Sequence, residues 1–166
     1  MLFRSLKLAP GQVTDDTTMC LALGDALLAG AREDRLGDPR LIADAYLAWW
    51  RGRPVDCGNT CRRGILRWLH QGTVEGPPSD GDAGNGALMR NLPAVLATLG
   101  DDEAFRRISL AQAHVTHHNP VSDAAVLGIG HLLRLQLAGA DLAAMAQAVG
   151  EWVGREPLFR IGRAHV

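Results

Sequence analysis

The chain has 166 residues, 47% of them apolar and 21% charged, with a formal net charge of −1. That size and balance suit one domain with a real hydrophobic core. The chain has no basic stripe, and its four Trp, three Phe and one Tyr are too few for a stacking platform, so nucleic acid is an unexpected partner. No apolar run approaches bilayer length and the N-terminus lacks a signal-peptide layout, so the chain reads as cytoplasmic with no membrane partner.

In chain order, residues 1–13 read as irregular, with Pro10-Gly11 as a breaker. A first helix is predicted from about Asp16 to Ala31, placing Met19, Leu23, Ala26, Leu27 and Gly30 on one face, with Thr14 at its N-cap. Pro39 opens a second helix carrying Leu41, Ile42, Ala45, Tyr46, Trp49 and Trp50, and Asn59 or Thr60 caps a third that runs to His70. Residues 71–86 are rich in Gly, Pro, Asp and Ser; so long a connection inside a domain is usually functional or disordered. Helical periodicity then resumes over Leu88–Leu99, Asp101–Val115, Pro120–Leu137 and Asp141–Val153, the last with Leu142, Met145, Ala146, Val149 and Val153 in one stripe. No segment alternates with period two, so the fold class is all-α. Beyond Arg155 the periodicity is lost.

Three stretches carry chemistry. In Gly11-Gln12-Val13-Thr14-Asp15-Asp16-Thr17-Thr18-Met19, two adjacent carboxylates sit among hydroxyls at a helix start. Acids in a first turn are favoured by the backbone dipole, yet capping needs only one such side chain. The cluster of oxygens also suits a hard divalent cation, although on spacing alone capping is the commoner reading. In Asp82-Ala83-Gly84-Asn85-Gly86-Ala87-Leu88-Met89-Arg90, the glycines allow close backbone approach to a ligand and lead to a helix mouth, a seat for phosphate. Arg90 could add a forked donor and Asp82 a carboxylate; a flexible turn also accounts for Gly-Asn-Gly. In Thr116-His117-His118-Asn119-Pro120, Asn119 and Pro120 suit a helix start, and the paired histidines read as ligands, acid–base groups or loop residues. His70, His114, His131 and His165 read as structural or surface residues. Cys20, Cys57 and Cys61 give no disulfide framework, and a zinc site at Cys57 and Cys61 lacks a matching second pair.

Taken together and in this order, Thr-Asp-Asp-Thr, Gly-Asn-Gly-x-x-x-Arg and Thr-His-x-Asn-Pro resemble the ADP-ribosylglycohydrolase family, especially its bacterial branch that removes ADP-ribose from arginine. The resemblance covers about Gly11 to Leu137, and the stretch from Asp82 to Arg90 with Pro93 is its most specific part. It implies a single compact domain of orthogonal helices over residues 1–166. It also implies two Mg²⁺ or Mn²⁺ ions at the base of a cleft, and a hydrolase acting on a glycosidic ADP-ribose linkage to a modified protein side chain. By matching position, Thr14, Asp15 and Asp16 are the expected metal ligands, and Asp82 and Asp16 the expected catalytic carboxylates. Asn85, Gly86, Arg90, His117 and His118 are the expected contacts to ADP-ribose.

The sequence departs from that family in two places. Leu23-Gly24-Asp25-Ala26-Leu27 has the letters of a segment that ordinarily precedes Thr-Asp-Asp but here follows it, and no Asp-x-Asp-Ser/Thr motif occurs before Val166. The chain is therefore read as partial at both ends relative to the family, with half of the dinuclear site absent. Uncovered apolar faces open to self-association are expected as well. The alternative to hydrolysis is a non-catalytic ADP-ribose-binding or structural relative, as the lens crystallins of the family are. An all-α scaffold with accidental loop motifs is the remaining alternative.

Overall fold

The computed structural model describes residues 8–155. Among them the regular structure is wholly helical: α1 (Asp15–Arg32), α2 (Pro39–Arg51), α3 (Asn59–Gln71), a 3₁₀ turn (Asp80–Asp82), α4 (Leu92–Ala97), α5 (Asp102–His114), α6 (Pro120–Leu137) and α7 (Leu142–Arg155). The all-α expectation holds, and no described helix is long and apolar enough to cross a membrane. The expectations for residues 1–7 and 156–166 lie outside the described residues.

The predicted stripe of α1 is the buried one: Met19, Leu23, Ala26, Leu27 and Gly30 all face inward. Met19, Leu23, Ala26 and Leu27 join Ile42, Ala43, Tyr46 and Leu47 of α2, Cys61 and Ile65 of α3, Ala94 of α4 and Ile108 of α5 in one core. Complete burial of side chains such as Leu23 and Ile42 stabilises by roughly 1.5–3 kcal/mol each. Summed over the stripe this outweighs an N-cap or a first-turn charge, so packing fixes which face of α1 turns inward. Caps then trim the ends. Asp38 accepts from the Arg40 N–H at 2.8 Å with Pro39 beside it, and Asn119 accepts from the Val121 N–H at 2.8 Å with Pro120 beside it.

Three details differ from the sequence-based expectations. Neither Asn59 nor Thr60 caps α3; Gly58 takes that position without a side-chain bond, which leaves the Asn59 and Thr60 side chains for other uses. The helix expected from Leu88 starts only at Leu92, and residues 85–90 form turns. Pro93 is the reason: within a continuous helix it would lack an N–H for the Met89 carbonyl and its ring would strike that group. The α7 stripe is clean in sequence, but no α7 residue is fully buried and Leu142 is 84% exposed.

Close packing of α3 sets the position of its N-terminal end. A Cβ at Gly64 would lie 2.3 Å from the Val115 carbonyl oxygen and 2.7 Å from Cα of Thr116. Only glycine lets α3 lie directly on the α5–α6 junction. The helix thereby brings its own first turn beside His117.

Candidate functional site

Four backbone segments converge on one cavity of about 270 Å³: the first turn of α1, the first turn of α3, the loop 84–86 and the α5–α6 junction. Its walls include Asp15, Asp16, Gly58, Asn59, Thr60, Cys61, Gly84, Asn85, Gly86, Met89 and His117. Three segments singled out from the sequence therefore share one hollow, although they are far apart along the chain. A larger hollow near Arg35, Asp38 and Arg107 offers no comparable chemistry, since Arg35 is already paired with Asp38 and Glu33.

Asp15 is buried and Asp16 exposed. The Thr14 residue holds the N-cap position, yet its hydroxyl donates to Asp16 Oδ2 at 3.0 Å instead of accepting from the backbone. Asp15 Oδ2 accepts one long bond, 3.4 Å, from the Gly58 N–H. No lysine, arginine or histidine pairs with Asp15 among the described residues. Burial first, then the neighbouring carboxylates Asp56 and Asp16, push its pKa up against the partial relief from Gly58. A buried carboxylate flanked by two others and lacking a counter-ion is what a hard divalent cation relieves, so the donor set fits Mg²⁺ or Mn²⁺. The thiols beside it do not compete: burial pushes Cys57 up to about 11 and Cys61 upward too, so both stay protonated near neutrality.

His117 is 2% exposed and lies against the glycine loop, where a Cβ on Gly86 would sit 2.6 Å from its Cε1. Its Nδ1 shares a 2.7 Å hydrogen bond with the Thr116 hydroxyl, which accepts from Arg90 Nη2 at 2.7 Å. Because the Thr116 oxygen already accepts from Arg90, its own proton is free for Nδ1. This favours the tautomer with the hydrogen on Nε2, the nitrogen beside Gly84 and Gly86. Burial and the nearby Arg90 charge push the His117 pKa down to about 4, against the pull of Asp82. His117 is thus a neutral hydrogen-bonding wall near pH 7.

Thr14 is not itself on the cavity wall, and three further expected site residues lie elsewhere. Arg90 has no exposed surface: Nε donates to Gln112 Oε1 at 2.8 Å, Nη2 donates to the Gln112 carbonyl at 2.9 Å, and the guanidinium stacks 4.4 Å over Tyr46. The expectation of a phosphate-reaching fork is corrected, since the fork is spent inside the core holding Thr116 and Gln112. His118 is not on the cavity wall; its Nδ1 donates to the Gly76 carbonyl at 2.6 Å. Asp82 is buried in a salt bridge with Arg63 and lines the adjacent hollow with Arg67, His70 and Ser79.

Sequence reasoning missed the start of α3. Asp56 belongs to the carboxylate group around Asp15, and Asn59, Thr60 and Cys61 form one wall. The signal was an acid two residues before a glycine N-cap, followed by two polar residues that no helix interior requires.

Among known proteins, the chain is 48% identical over 148 residues to an ADP-ribosyl-[dinitrogen reductase] glycohydrolase of Rhodospirillum rubrum, covering 89% of this chain and 49% of that protein. It is 31% identical over 143 residues to the ADP-ribosylarginine hydrolase Tri1 of Pseudomonas putida (strain GB-1), covering 81% and 38%. It is 30% identical over 151 residues to the protein of that name from Serratia proteamaculans (strain 568), again covering 81% and 38%. The chain thus spans about half the length, or less, of these relatives. The family model for ADP-ribosylglycohydrolase matches residues 2–165, and the chain belongs to the ADP-ribosylglycohydrolase family.

Proposed function

We propose that this chain binds ADP-ribose attached to a protein side chain, arginine being the linkage its relatives' names point to, and hydrolyses the glycosidic bond. The observation that carries the reading is the shared cavity: Asp15 and Asp16 face the Asn85–Gly86 turn and His117 across one hollow. Its volume is below the roughly 300–1,000 Å³ of pockets that enclose a whole small ligand. It accordingly seats the ribose at the scissile bond, with the remaining nucleotide lying outside it.

In this reading Thr14, Asp15 and Asp16 would hold Mg²⁺ or Mn²⁺, with Asp56 adding negative charge nearby. When bound, the ion supplies Lewis acidity toward ribose hydroxyls and water. Asn85 and Gly86 offer amide groups to the sugar and phosphate. His117 donates from Nε2 as a neutral group, and the Arg90–Thr116 pair holds its ring in place. Cleavage at the anomeric carbon develops positive charge, which an exposed carboxylate such as Asp16 can stabilise. Asp82 keeps Arg63 at the neighbouring hollow, where a cation suits the outer phosphate.

A second reading, binding without turnover, is favoured by the engagement of Asp82 with Arg63 outside the cavity. Release of ADP-ribose from ADP-ribosyl-arginine in Mn²⁺, measured on this chain beside calorimetric titration with ADP-ribose, separates the two. Turnover supports hydrolysis, and binding alone supports the second reading. Absence of both rejects the two together.

A further inference from the structure

We propose that Glu75, His114 and His118 form a second cation site, selective for zinc-type ions and chemically distinct from the carboxylate cavity. The donor atoms of the three residues lie within 4.8 Å of one another. Glu75 Oε1 is 3.1 Å from Nδ1 of His114 and 3.2 Å from Nδ1 of His118. The edge of a tetrahedron with zinc–nitrogen bonds of 2.0–2.1 Å is about 3.3 Å. Those two spacings match such an edge; the His114 and His118 rings are stacked with centroids 4.0 Å apart and 24° between their planes, so one ring must turn for both Nδ1 atoms to point at one ion.

An outer partner is already present. Both oxygens of Asp123 accept from Nε2 of His114, at 3.0 and 3.1 Å. In the metal-free protein both ring nitrogens of His114 face carboxylate oxygens, so Nδ1 also carries a hydrogen, directed at Glu75, that an ion must displace. Histidine ligands of zinc almost always have such a carboxylate or carbonyl behind them. The opposite side is held as well, since Arg67 Nη2 donates to the carbonyls of Val74 and Val115, each at 2.9 Å. The connection carrying Glu75 is thereby fixed against the segment carrying the histidines. His118 Nδ1 now donates to the Gly76 carbonyl at 2.6 Å. Ion binding displaces that proton, and the one between His114 Nδ1 and Glu75, to solvent.

Two imidazoles and one carboxylate prefer Zn²⁺ and Co²⁺ over Mg²⁺ or Mn²⁺, the reverse of an all-oxygen set. A bound ion would clamp the connection that leads to Asp82 and Gly84–Gly86 onto the junction containing His117. The proposal does not depend on the catalytic reading.

The test is a Co²⁺ titration of this chain followed by visible ligand-field absorption, with Zn²⁺ as competitor. Intense bands of low-coordinate Co²⁺, bleached by Zn²⁺ and kept in the Asp15→Asn/Asp16→Asn variant, are expected. Affinity should fall at least about 100-fold in His118→Ala and about 10–100-fold in Asp123→Asn. Glu75→Gln should also weaken binding; its side chain is half exposed, so that variant tests the site without threatening the fold. No bands, bands lost only in the Asp15/Asp16 variant, or unchanged affinity in Glu75→Gln would overturn the proposal.

Discussion

The imidazole of His117 lies so close to Gly86 that a methyl group on that glycine would sit 2.6 Å from Cε1 and 2.9 Å from Nε2. The loop can reach the cavity wall only because residue 86 has no side chain. Gly86→Ala should therefore displace either the loop or the ring, lowering stability by about 1–3 kcal/mol. ADP-ribose affinity should fall with it in calorimetry. An unaltered affinity with full stability would mean that the loop is not seated on His117.

Asp15→Asn should raise the Tm of the metal-free protein while removing the Mn²⁺-dependent increase. Its folded-state pKa is raised, chiefly by burial and then by Asp56, so the folded state holds the proton to higher pH than the unfolded chain does. The charged side chain thus costs stability, and that cost grows as pH rises through the raised value. Asparagine removes the charge and with it the ligand, a trade-off typical of functional sites. Thermal melts with and without Mn²⁺ read both effects.

His117 gives the opposite pH dependence. Its folded pKa of about 4 lies below the ordinary 6.5, so the unfolded chain binds a proton that the folded one does not. Stability contributed by the neutral ring is present above 6.5 and is lost as pH falls toward 4, amounting to about 2 kcal/mol by pH 5. His117→Asn should flatten urea-derived stability over that window. His114 contributes with the other sign. Burial lowers its pKa, but Asp123 and Glu75 outweigh this and raise it, so its contribution is lost as pH rises.

Arg90 should behave as a positioning residue. Arg90→Met leaves the Gln112 carbonyl and the Thr116 hydroxyl without their donor, at a cost of about 1–3 kcal/mol for each group left unpaired. It should also raise the His117 pKa seen by NMR, because it removes a positive charge. Arg90→Lys keeps the charge and loses the fork, so stability should drop while the His117 pKa stays low. Equal His117 values in both variants would show that the charge does not reach the ring.

By itself the sequence determined what depends on neighbours within a few residues. The inward face of α1 follows from a 3.6-residue period, and the starts of α2 and α6 follow from Asp38-Pro39 and Asn119-Pro120, because periodicity and capping are local. The three polar stretches were legible for the same reason: each is one loop at one helix mouth. Tertiary structure alone decided which side chains reach the cavity. Arg90 and Asn85 belong to one motif, yet one is wholly buried and the other faces the hollow, since Gln112 of α5, Thr116 and Tyr46 of α2 claim the guanidinium. Asp56 joins Asp15, and Glu75 meets His114 across 39 residues, through the packing of whole helices, of which the close approach of α3 to the α5–α6 junction at Gly64 is one part. Such meetings are set by how whole helices pack, a long-range energy that no short stretch of sequence carries.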